Sequence, residues 1–162
     1  PAATADWKAI PYLGRTLSGV ALMPYTEGVE GASLTYKMAL PENVQEVNVH
    51  VVVKSTLAFH DVKGHEYTVG FDGGKEKVVN FNANLNEEPE NVYNVFYPTV
   101  ARRVVEKVVK IAVPPSADGM QLLILKPLDP GIVFEKIVVD CGGYQKSYLF
   151  MDESPCKRDL RK

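Results

Sequence analysis

Three histidines, a run of neighbouring carboxylates and a set of tyrosines are the side chains here whose types could do chemistry. His50, His60 and His65, with Asp61 and Glu66 beside the last two, are the raw material of a metal site. Zinc sites join His or Cys pairs at fixed short intervals, and this spacing matches none of those patterns. The histidines read instead as surface residues of loops between strands. A structural calcium ion would need several convergent carboxylates and carbonyls. It is left open, with Asp61, Glu66, Asp72 and Asp140 as scattered donors. No metal site and no cofactor is assigned.

Nucleophilic and acid–base chemistry find no better footing. Ser18 in Thr16-Leu17-Ser18-Gly19 lacks the glycines two residues to either side that a nucleophile elbow requires. Gly142-Gly143 follows a strand pattern, but no helix pattern starts there to cradle a phosphate. Glycoside hydrolysis needs two carboxylates flanking one bond. Glu87-Glu88 and Glu90 lie together, but in an Asn-rich polar stretch that reads as a solvated face. No catalytic residue is assigned, and the chain is not expected to be an enzyme on its own.

The aromatics are more informative. Tyr93, Phe96 and Tyr97 cluster after the polar stretch, Phe59 stands beside His60, and Tyr144 and Tyr148 flank the end of the last strand pattern. A pyranose ring offers an apolar face to an exposed aromatic, while its hydroxyls need amides or carboxylates alongside. Asn82, Asn84, Asn86, Asn91 and Asn94 supply such amides in composition. The candidate ligand-binding residues are therefore Tyr93, Tyr97, Asn91, Asn94 and Phe59, for a polysaccharide or oligosaccharide. The competing reading has these rings packed inward or against another domain.

The elements that must position them are strands. Residues 17–23, 32–38, 44–53, 65–71, 76–81, 120–125 and 132–139 carry period-two or short buried apolar patterns bounded by turn residues. Asp72-Gly73-Gly74 between two of them marks a hairpin. Residues 82–91 read as a loop. Between 97 and 111, Val100, Val104, Val105, Val108 and Val109 fall at helical spacing although β-branching favours a strand. The expectation there is a short helix or helical turn followed by a strand. The fold class is all-β: a two-sheet antiparallel β-sandwich, jelly-roll or carbohydrate-binding-module-like, with at most one short helix. Residues 1–14 are expected as a lead-in loop or linker, 15–152 as the sandwich and 153–162 as a polar tail.

Bulk properties set the bounds. A chain of 162 residues holds one core comfortably and two poorly. With 46% apolar and 23% charged residues it has ordinary globular usage. Eighteen basic against twenty acidic residues leave a net charge of −2, without the electrostatic footprint of a nucleic-acid partner. No apolar run approaches the roughly 20 residues that cross a bilayer. Cys141 and Cys156 are compatible with one disulfide, and equally with a buried thiol and a tail thiol. Residues 1–6 show no signal-peptide pattern, so localisation must come indirectly.

Two stretches bear a resemblance. One is residues 10–24, with Leu13-Gly14-Arg15-Thr16 at its centre. The other is residues 128–149, with Asp129-Pro130-Gly131-Ile132-Val133, Gly142-Gly143 and Ser147-Tyr148-Leu149, followed by Glu153-Ser154. Together they resemble the C-terminal β-sandwich domain of glycoside hydrolase family 115, the xylan α-1,2-glucuronidases. That resemblance implies an accessory domain of a secreted or periplasmic, α-glucuronidase-like enzyme acting on plant polysaccharide such as xylan. Its catalytic machinery would lie on preceding domains of the same polypeptide, which become an expected partner, as does a second copy in a homodimer. The alternative function is purely structural: a docking or dimerisation domain that binds no glycan.

Overall fold

The clearest alternation in the sequence sits at the centre of a sheet. Strand β5 (Glu46–Lys54) buries Val47, Val49, Val51 and Val53 along one face, while Glu46, Asn48 and His50 point the other way. β-branched side chains at every second position suit a pleated strand with one covered face. The computed structural model describes residues 6–12, 18–23, 28–54, 64–83, 89–102, 104–147 and 154, and the backbone of 2–3. The remaining strands are β1 (Ala2–Ala3), β2 (Trp7–Pro11), β3 (Ser18–Leu22), β4 (Leu34–Ala39), β6 (Glu66–Phe71), β7 (Lys77–Asn80), β8 (Val104–Ala112), β9 (Met120–Pro127) and β10 (Val133–Asp140).

They form two five-stranded sheets, ordered β1-β4-β9-β6-β7 and β2-β3-β10-β5-β8, and every pairing is antiparallel. The inward rows of both sheets meet in one core. Val49, Val51 and Val53 of β5 and Phe134 of β10 enter it from one side. Tyr67, Val69 and Phe71 of β6 enter from the other, with Leu123 and Leu125 of β9. The Tyr67 ring meets Phe134 edge-on across the layers at 5.5 Å. This is the all-β sandwich expected from the sequence.

Turn chemistry closes the sheets. Phe71–Gly74 is a β-turn in which the Gly74 N–H donates to the Phe71 carbonyl at 2.9 Å. Gly73 sits at φ +75°, where a Cβ would be strained. β10 carries a bulge between Phe134 and Lys136, which shifts its register against β5.

One expectation is corrected. Within the expected lead-in loop 1–14, residues 2–3 and 7–11 are strands: β1 pairs with β4, and β2 runs beside the whole of β3, placing Trp7 against the core. Pro, Ala and Thr hide a strand well, and β2 is an edge strand that needs little apolar alternation.

Truncating Leu123 tests the shared core. Leu123→Ala is expected to lower unfolding free energy by about 2–5 kcal/mol, read as a lower urea midpoint with an unchanged slope.

Candidate functional site: an exposed tyrosine pair on a helical turn

Between β7 and β8 the chain leaves the sheets and forms the helical segment of the structure. It comprises α1 (Pro89–Asn91), a π-helical turn (Val92–Phe96) and α2 (Tyr97–Arg102). Pro89 suits a first helical position, where its missing N–H is not needed, and Glu90 complements the positive helix start. The widened turn has a local cause in Pro98. A proline ring inside a regular helix collides with the carbonyl four residues earlier, here that of Asn94. A π-turn ahead of it, closed by the Tyr97 N–H on the Val92 carbonyl, relieves that crowding.

Two faces result. Asn91, Val92, Val95, Pro98 and Thr99 are half-buried, whereas Glu90, Tyr93, Asn94, Tyr97, Val100 and Ala101 are exposed. Tyr93 is 78% and Tyr97 56% exposed, so neither ring belongs to the core. Their centroids lie 5.8 Å apart with the rings inclined by 49°. Asn94 sits between them on the exposed face and donates from Nδ2 to the Glu90 carbonyl at 3.4 Å. Of the five residues expected to meet a ligand, Tyr93, Tyr97, Asn91 and Asn94 fall on one helical segment. Phe59 lies outside the described residues, as do Asn84, Asn86, Tyr148 and the Phe96 side chain.

Other expected site groups turn inward. Asn82 is buried: its Oδ1 accepts the His65 N–H, and its Nδ2 pairs with His65 Nδ1 at 2.9 Å. His65 is likewise buried, with its ring stacked on Phe81 at 5.7 Å. It is a core histidine and not the surface-loop residue expected. A Cβ on Gly64 would approach Asn80 Oδ1 to 2.7 Å and Asn82 Oδ1 to 2.8 Å, so only glycine closes this knot. Residues 89–91, expected as loop, begin the helix.

A second polar cluster covers the outer face of the other sheet. His50 Nδ1 lies 2.7 Å from Glu106 Oε1, and Lys146 Nζ pairs with Glu106 Oε2. The Tyr144 ring meets His50 edge-on at 4.8 Å. Tyr144 and Lys146 reach this face because the chain reverses after β10. Asp140 Oδ1 accepts the N–H groups of Gly142 and Tyr144, while Gly142 and Gly143 take φ +117° and +87°. Residues 141–147 thus form a strap across β5 and β8. Among the described residues no three His, Cys, Asp or Glu side chains converge as metal ligands. Asp140 and Glu66 instead hold backbone and amide groups of their own surroundings.

A family model for the glycosyl hydrolase family 115 C-terminal domain matches residues 1–153. The chain belongs to that family. Its fold is similar to part of a family GH115 4-O-methyl-α-glucuronidase with specificity for decorated arabinogalactans, at TM-score 0.61 and 19% identity over 85% of this chain. The chain spans 16% of that enzyme's length. It is also similar to a family 35 carbohydrate binding module from Clostridium thermocellum (TM-score 0.56, 10% identity, 86% of this chain and 90% of the module). An exo-β-1,3-galactanase from Phanerochaete chrysosporium aligns over 85% of this chain and 27% of its own (TM-score 0.53, 15% identity). A search of curated protein sequences finds no match. The GH115 C-terminal domain is a non-catalytic accessory domain, and the activity of the homologous enzyme lies elsewhere.

Within the second stretch that carries the resemblance, residues 133–147 form β10 and the strap that follows it. The mooring of the strap on Glu106 through Lys146 has no local signal in the sequence. Only the D-x-G-G turn signal could have announced a reversal; Lys146 and Glu106 lie 40 residues apart in sequence. The Glu106 side chain is 8% exposed. That burial pushes its carboxyl pKa up, but the hydrogen bonds and charges of Lys146 and His50 outweigh it and hold the carboxyl below its ordinary value.

A depressed carboxylate contributes stability that is fully present above its unfolded pKa and is lost as pH falls through its folded one. Thermal midpoints measured from pH 7 down to pH 3 should fall more steeply for the native chain than for Glu106→Gln. Equal slopes would mean that the strap takes no hold on this carboxylate.

Proposed function

We propose that this accessory domain binds plant polysaccharide, with Tyr93 and Tyr97 as stacking platforms and Asn94 and Asn91 as hydrogen-bonding partners. The single observation that carries the reading is the exposure of two neighbouring tyrosines on one helical face, with the Asn94 amide on the same face. Exposed aromatic surface of this kind is costly to leave in water unless something covers it. The similarity in fold to a carbohydrate binding module supports the same reading. The parent enzyme, in this proposal, is a secreted or periplasmic α-glucuronidase acting on decorated xylan or a related plant glycan. The domain holds the polysaccharide near a catalytic domain of the same polypeptide.

A second reading has one observation in its favour: Val100, 51% exposed, continues the apolar face beyond the tyrosines. On that reading the face docks on the catalytic domain or on a second copy in a homodimer, and binds no sugar.

Calorimetry against xylan and arabinogalactan fragments, with sedimentation in parallel, separates the two. Glycan binding is expected, weakened by about 1 kcal/mol or more in Tyr97→Ala with the thermal midpoint unchanged. Self-association with no heat from any glycan would establish the docking face instead.

A further inference from the structure

The inclination of the two rings carries information about the ligand's shape. Tyr93 and Tyr97 stand four residues apart, and their rings are inclined by 49°. Coplanar rings can lie together on a flat ribbon of packed chains; these two cannot. A planar crystalline face would touch one ring and lift off the other. A single chain whose successive sugars rotate against one another can follow both.

The charges on the same face narrow the choice further. Glu90 lies one turn before Tyr93, so its carboxylate flanks the platform. Arg102 is the basic side chain of this segment, and five residues of helix carry it roughly 140° around the axis from Tyr97. Amides and one carboxylate can accept and donate to hydroxyls, but a uronate beside Glu90 meets like charge.

Resting on the glycan-binding reading above, we infer that the ligand is a soluble, twisted, uncharged stretch of glycan chain, not a crystalline surface and not the uronate-bearing unit itself. The acidic decoration is then left free for the catalytic part of the enzyme, while this domain grips the neutral backbone.

The test uses this chain with three probes: microcrystalline cellulose in a pull-down, and neutral xylo- and galacto-oligosaccharides and glucuronoxylan oligosaccharides in calorimetry at low salt. Neutral soluble chains should bind, and Tyr93→Ala and Tyr97→Ala should each weaken that binding about fivefold. Glucuronate-bearing fragments should bind about twofold more weakly than undecorated ones, and Glu90→Gln should abolish that difference. Retention on cellulose, or loss of affinity from only one of the two tyrosine variants, would overturn the twisted-chain inference while leaving glycan binding intact. Tighter binding of uronate-bearing fragments would overturn its charge assignment. Absence of binding to all three probes would remove the glycan-binding reading and this inference with it.

Discussion

Two sheets can stack only where each turns an apolar row inward, and here the densest such rows belong to β5 and β6. Val47, Val49, Val51 and Val53 face Leu123, Leu125 and the β6 aromatics within one core. Everything else in the molecule is constrained by that layer. Strands at the sheet edges need fewer apolar residues, and the chain segments between strands are free to serve other ends. Burial of fully enclosed Val and Leu side chains, at about 1.5–3 kcal/mol each, supplies the stability on which the helical turn and the strap depend.

This hierarchy explains what was legible in the sequence. β5 and the β6–β7 hairpin announce themselves because alternation and a Gly-rich turn act locally. β2 does not, since an edge strand with the pattern Trp7-Lys8-Ala9-Ile10-Pro11 lacks the alternation of a central one. The helical segment was partly visible and wrongly bounded. Its half-buried face holds Asn91, Val92, Val95, Pro98 and Thr99, while its exposed face holds Tyr93, Tyr97, Val100 and Ala101. The amphipathic signal is therefore blurred, because apolar side chains sit on both sides. Polarity over residues 82–91 concealed the helix start at Pro89 for the same reason. In the candidate site, the tyrosines and asparagines were identifiable by type, but Asn82 was indistinguishable from Asn94. Only the partner 17 residues away, His65, decides that one is buried structure.

The strap shows how a local signal and a long-range one combine. Asp140, Gly142 and Gly143 are sufficient to reverse the chain, and that much is written in four consecutive residues. Where the reversed chain lands depends on His50 and Glu106, which β5–β8 pairing brings near each other through the Val52↔Glu106 and His50↔Val108 register. A one-residue slip of that register would send Glu106 to the core face and leave Lys146 without its carboxylate.

The strap also bears on which surface can meet a ligand. With His50 and Glu106 nearly covered, the middle of the outer face of the β5–β8 pair is already occupied by the chain's own residues 141–147. The outer face of the opposite sheet is crossed by the Lys126–Glu76 ion pair and by the Glu76 backbone lying over Gly70. Its most exposed apolar side chain is a single valine, Val78. An isolated valine between charged neighbours offers no ring for a sugar to stack on. The helical turn differs from both sheets in kind. It stands outside the layers, and its exposed tyrosines lie side by side. Two exposed rings of one type, held side by side outside the layers, are where recognition can act without loosening the core.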